Sequence, residues 1–162
     1  MELRPELCAP VISQERLAEL RATIERIGDL LENGRSVVAE IAALNADTGH
    51  DYIPEDLRRC CDQDVEWLVL DARYPARPEV PDITRDEMVE IAHRMLGGDL
   101  EERQFYMRLF DANVDPNTTS ALFVYPPGSL LDASPEEIVD YILAYRPTPH
   151  SPMPFTPLTF GA

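Results

Sequence analysis

The sequence predicts an all-α protein: a helical first half packed with a second-half bundle of four helices, the third of them very short. Three observations predict it. Apolar residues recur at spacings of three and four along both halves. Residues able to cap a helix stand just ahead of those stripes. No segment alternates apolar and polar residues over the length of a strand, and no internal repeat is visible.

The first helix begins after Ser13, a capping residue, and carries Leu17, Leu20, Ile24, Ile27 and Leu31 on one stripe. Asn33-Gly34 stops it, with Gly34 suited to the left-handed position past a helix end. Val37, Val38, Ile41 and Leu44 mark a shorter second helix. "NADTGHDYIPED" is a turn-rich joint, and Pro54 suits the first position of a third helix that includes Leu57 and Cys60-Cys61. "DVEWLVLDARY" fits a helix or a buried strand and is assigned to helix. Residues 1–72 thus form a helical region to which the sequence assigns no role.

"RYPARPEVPD", residues 73–82, holds three prolines and little to bury, so it is assigned as a linker. A second domain, residues 83–147, follows. "TRDE" at Thr84–Glu87 fits a capping box. Met88, Ile91, Ala92, Met95 and Leu96 continue as a stripe that Gly97-Gly98 ends. Asp99 caps the next helix, in which Phe105 and Leu109 share a face with Tyr106 and Phe110 beside them. "DPNTTS" breaks the chain, and "SALFVYPPG" leaves room for about one turn of helix before its prolines. Ser134-Pro135-Glu136-Glu137 is another capping box, ahead of Ile138, Val139, Ile142 and Leu143. Arg146-Pro147 ends that helix, and residues 148–162 are a proline-rich tail.

Charge narrows the function. The 162 residues carry 30 Asp plus Glu against 14 cationic residues, all of them Arg, for a formal charge of −16. Such a surface repels nucleic acid and steers a basic protein partner. No apolar run reaches the ~20 residues needed to cross a bilayer, and no secretory signal is recognised at the start, so no membrane association and a cytoplasmic location are expected. Three cysteines, one alone and two vicinal, do not make a disulfide framework.

Catalytic and metal chemistry find little support. His50, Cys60 and Cys61 are the nearest approach to a zinc set, but vicinal cysteines on a helix point apart and no C-x-x-C is present. His50, His93 and His150 lie in no nucleophile motif, and no glycine-rich phosphate loop follows a strand. No metal, no cofactor and no enzymatic activity are expected.

The stretch "SALFVYPPG" asks for a different explanation. Leu122 and one ring serve to close a small helical core. Tyr125, between Val124 and two prolines, has the make-up of a binding platform: a large apolar face, a polar tip and few rotors. Proline stiffness lowers the entropy lost on binding.

From Ile83 to Arg146 the order is capped helix, acidic second helix, Asp-Pro turn, "SALFVYP", variable loop, "SPEEIV" and a last helix ending in aromatic-Arg. This order resembles the bacteriocin (colicin and pyocin) immunity protein family, small acidic four-helix proteins that bind the nuclease domain of a toxin. The family's short third helix carries a Ser-Asp-Leu-Ile-Tyr-Tyr-Pro type motif, matched here by Ser120-Ala121-Leu122-Phe123-Val124-Tyr125-Pro126. Ala121 replaces the motif Asp, and Val124 the first Tyr. The resemblance implies an antitoxin that neutralises a cognate toxin, a nuclease with a basic surface, by stoichiometric binding. It implies a platform of Phe123, Tyr125 and Pro126, and specificity contacts on the second helix from Asp99, Glu101, Glu102, Tyr106 and Asp111. An acidic regulatory or scaffold module without a toxin is the alternative.

Overall fold

The structure is a computed structural model that describes residues 2–60, 65–115 and 118–145; at Arg59, Cys60 and Glu101 it describes the backbone only. Among the described residues all regular structure is helical: eight α-helices and two short 3-10 turns, with no strand. The helices are α1 (Gln14–Glu32), α2 (Val38–Thr48), α3 (Pro54–Cys60), α4 (Val65–Ala72), α5 (Arg85–Gly97), α6 (Leu100–Ala112), α7 (Ala121–Val124) and α8 (Pro135–Ala144). They divide between two compact units.

One unit is Ala9–Pro78 and contains α1 to α4. The Ser13 hydroxyl accepts from the Arg16 N–H and opens α1, whose Leu20, Ile24 and Ile27 are buried. Gly34 takes φ +64°, the left-handed turn that the Asn-Gly stop calls for. α1 packs against α2, α3 and α4, and its stripe shares a core with Ile41, Leu44, Leu57 and Leu68. Val37, expected inside the second helix, instead precedes α2 and is buried in that core. The ambiguous stretch around Trp67 is helical: Leu68, Val69 and Ala72 are buried and Val65 packs on the same core, a helical spacing. Cys61 and the side chain of Cys60 lie outside the described residues.

The other unit joins the residues up to Cys8 with those from Glu79 onward. The opening segment, grouped by sequence with the first half, lies here. Leu3 and Leu7 are buried, at 4% and 0% exposure. The Arg4 guanidinium donates to the carbonyls of Pro81 and Asp82 and pairs with Glu87 at 3.0 Å. The Val80 N–H donates to Asn113 Oδ1 at 2.9 Å, so the second part of the proline-rich 73–82 stretch is fastened to this unit.

Both capping boxes form. Thr84 and Glu87 exchange bonds at the start of α5, and Ser134 and Glu137 do so at α8. The α5 helix packs against α6 and α8, and α7 packs against α8. Gly98 sits where a Cβ would meet the Arg94 carbonyl oxygen at 2.5 Å, which explains the second glycine of the pair. The Arg146-Pro147 stop and the 148–162 tail lie outside the described residues.

Candidate partner-binding surface

The α7 turn is four residues long and could not persist alone, since a nucleus of helix costs more than it returns. It is held from outside. The Asp111 carboxylate, on the last turn of α6, accepts from the Ser120 N–H at 2.6 Å and from the Ser120 hydroxyl at 3.0 Å. The Thr118 N–H and hydroxyl both donate to the Asp115 carbonyl, at 2.8 and 2.9 Å. The Ala121 N–H donates to the Thr119 hydroxyl. Inward, Leu122 is buried, and the Phe123 ring meets Phe110 edge to face at 5.3 Å between centroids.

That anchoring turns the other side outward. Val124 is 59% exposed and Tyr125 71% exposed. The Tyr125 N–H closes the turn on the Ala121 carbonyl at 2.8 Å. Pro126 and Pro127 follow, half-buried, and fix the backbone direction. An aromatic residue this exposed, on a backbone this restrained, loses little freedom when a partner covers it.

The α6 helix supplies a second set of candidates, and they separate. Asp99 is the N-cap, accepting from the Glu102 N–H at 2.8 Å. Glu102 is exposed and its carboxylate makes no ion pair among the described residues. The Glu101 side chain lies outside the described residues. Asp111 spends its carboxylate on Ser120. Tyr106 corrects the sequence reading: it is 1% exposed, its hydroxyl accepts from Arg94 at 2.9 Å, and its ring lies under the same guanidinium. A partner cannot reach it, because α5 covers it.

Two residues that sequence reasoning missed stand on the outer face of α6. Leu100 is 80% exposed and Met107, seven positions on, is also exposed. Seven residues is two turns, and Asp111 is one turn further, so Leu100, Met107 and Asp111 follow one line along the helix. The signal was present: both are apolar positions off the Phe105–Leu109 stripe.

Several other acids of this unit have partners. Arg85 holds Asp140 at 2.6 and 2.8 Å and keeps its carboxyl below the usual range. The Thr84 backbone N–H, with help from Arg4, does the same to Glu87. Glu136 is lowered by hydrogen bonds at the helix start and by His93, 3.0 Å away. In the α1–α4 unit a cleft of about 260 Å³ lies between α1 and α4, floored by Leu17, Val69 and Leu70 and rimmed by the Arg21–Glu66 ion pair. No group of metal-ligating side chains is assembled among the described residues, and no described helix is long and apolar enough to cross a membrane.

No family model, characterised protein or solved structure matches this chain.

Proposed function

We propose that the chain is an immunity protein: a cytoplasmic antitoxin that binds a cognate nuclease toxin stoichiometrically and does no chemistry on it. The observation that carries this reading is the exposure of Tyr125 on a four-residue helix pinned by Asp111 and packed through Leu122 and Phe123. The order of elements around it supports the resemblance: capped α5, acidic α6, a very short α7, capped α8. A nuclease must present cations to its phosphates. An acidic chain with Glu102 unpaired on α6 offers the opposite charge and repels the substrate. Tyr125, Val124 and half-buried Pro126 would form the apolar centre of the contact, with Glu102, Met107 and Leu100 extending it along α6.

The test uses the product of the adjoining reading frame, since immunity genes characteristically neighbour their toxin genes. The purified product is titrated with the chain and its nuclease activity followed. Loss of activity at one equivalent supports the reading. An active nuclease at saturating chain, or a neighbour without nuclease activity that nevertheless binds, would favour the regulatory or scaffold alternative.

A further inference from the structure

The opening segment has the make-up of a ligand. Pro5–Leu7 form one 3-10 turn, closed by the Leu7 N–H on the Arg4 carbonyl at 2.9 Å and the Cys8 N–H on the Pro5 carbonyl at 3.1 Å. The Cys8 thiol donates back to the Leu3 and Arg4 carbonyls, at 3.7 and 3.6 Å. These bonds are internal to the segment, and Pro5 stiffens it further. Its side chains make the attachment: Leu3 and Leu7 are buried, and Arg4 lies between them in sequence.

The residues that receive Arg4 are built to hold a guanidinium. Arg4 Nη2 donates to the Pro81 and Asp82 carbonyls, at 3.1 and 3.2 Å, and Nε lies 3.0 Å from Glu87 Oε1. The other Glu87 oxygen accepts from the Thr84 N–H and hydroxyl, so the capping box of α5 fixes the carboxylate that faces Arg4. Asp82 takes φ +59°, a left-handed conformation that a residue other than glycine keeps only where its surroundings impose it. The two carbonyls that Arg4 grips belong to the peptide groups on either side of the Asp82 Cα, so the guanidinium is part of what imposes it.

Ligand and receptor belong to one unit but are separated in sequence by the whole of Ala9–Pro78. The receptor reads Leu3, Arg4 and Leu7, and every copy of the chain carries them. The connector from Ala9 to Ile12, ahead of the α1 cap at Ser13, has no regular structure, and Val11 in it is fully exposed. A short hinge of this kind favours the exchange of an end segment between copies.

We propose that copies of this chain exchange their opening segments, Leu3, Arg4 and Leu7 of each filling the site at the entrance of α5 in the other. The dimer is reciprocal and closed, and it keeps the contacts that the segment makes in the monomer. Because both forms bury the same groups, chain concentration selects between them while the site is still empty, during folding. The choice is then trapped, since reversal requires Leu3 and Leu7 to leave the core.

The test exploits a chain that has no lysine. Arg4→Lys keeps the charge and places the only side-chain amine beside Glu87, where a zero-length carbodiimide can join the two. Equal amounts of ¹⁴N- and ¹⁵N-labelled Arg4→Lys chains are unfolded in urea, refolded together at high concentration, separated by size and cross-linked. In the dimer fraction about half of the links between position 4 and Glu87 should join differently labelled chains, as random pairing in a reciprocal exchange requires, and in the monomer fraction none should. The absence of a dimer after concentrated refolding, or a dimer whose links join only like-labelled chains, overturns the exchange. If Arg4→Lys gives no link to Glu87, the wild-type dimer decides by sedimentation velocity. Persistence on dilution in native buffer, with return to monomer only after unfolding and dilute refolding, supports the exchange. A wild-type dimer that dissociates on dilution, or none, overturns it.

Discussion

Asp111 and Ser120 are joined twice, one carboxylate accepting from both the backbone N–H at 2.6 Å and the hydroxyl at 3.0 Å. The pair fixes where α7 starts relative to the end of α6. Asp111→Ala should therefore loosen α7 before it loosens the unit. The expected loss is about 1 kcal/mol of stability, the scale of a net hydrogen bond. Hydrogen exchange at the Leu122 to Tyr125 amides should quicken by more than that of the α8 amides. Equal change in both would mean that the pair supports the whole unit rather than α7.

Tyr125→Ala should weaken binding to the partner by about 2 kcal/mol or more, roughly thirtyfold in Kd. The urea midpoint should barely move, because the ring is largely in water. Leu122→Ala is the control: a buried leucine lost from the core should cost about 2–5 kcal/mol of stability. A collapsed midpoint in Tyr125→Ala would show that the ring belongs to the core.

Tyr106 gives the opposite pattern. Tyr106→Ala should destabilise the free protein by about 3–5 kcal/mol, as large-to-small aromatic changes in a core do. Tyr106→Phe keeps the ring and removes the acceptor for Arg94, so about 1 kcal/mol is expected. Measured by urea unfolding and partner titration, Tyr106→Phe should change stability and leave Kd untouched. A selective loss of affinity would return Tyr106 to the interface.

Salt separates steering from solubility. If Glu102 and its acidic surroundings attract a basic partner, the association rate should fall steeply between low and physiological ionic strength while dissociation changes little. Stopped-flow mixing measures both. An association rate flat in salt would leave the acidity with no part in recognition.

Acid should destabilise the α5–α8 region through paired carboxylates. Asp140, Glu87 and Glu136 titrate below their ordinary values in the folded chain. A lowered pKa adds stability that is present above the unfolded value, about 4, and lost as pH falls through the folded one. The urea midpoint should thus decline below about pH 4, and Asp140→Asn should shallow that decline. Asp140→Asn with an unaltered acid limb would mean that the Arg85 pair is too exposed to matter.

The helices were legible because their signals are local. Ser13, the Thr84–Glu87 box and the Ser134–Glu137 box each act within four residues, and all three form. Stripes such as Leu20, Ile24 and Ile27 need only helical spacing. Tyr106 was not legible for the converse reason. What permits a phenol to be buried there is the Arg94 guanidinium, twelve positions away on α5. The surface role given to Asp111 overlooked its bond to Ser120, which depends on the path the chain takes between them. Likewise, nothing near Arg4 announces that its partners are Pro81, Asp82 and Glu87. Tyr125 was read as an exposed ring from its prolines and its brief helix, both local features, and its exposure agrees.

The placement of Leu3 and Leu7 with the residues from Glu79 onward has a consequence for synthesis. Ala9–Pro78 is a continuous stretch and can close its core as soon as it has left the ribosome. The unit that holds Leu7 is discontinuous and must wait for α5 to α8. At roughly 5–20 residues per second, those two leucines spend several seconds to tens of seconds in water without their partners. A nascent chain arrested after Pro78 would hold one compact unit and an unsatisfied apolar segment of the other, a species suited to chaperone capture. The helices α5 to α8 therefore rescue residues made well before them.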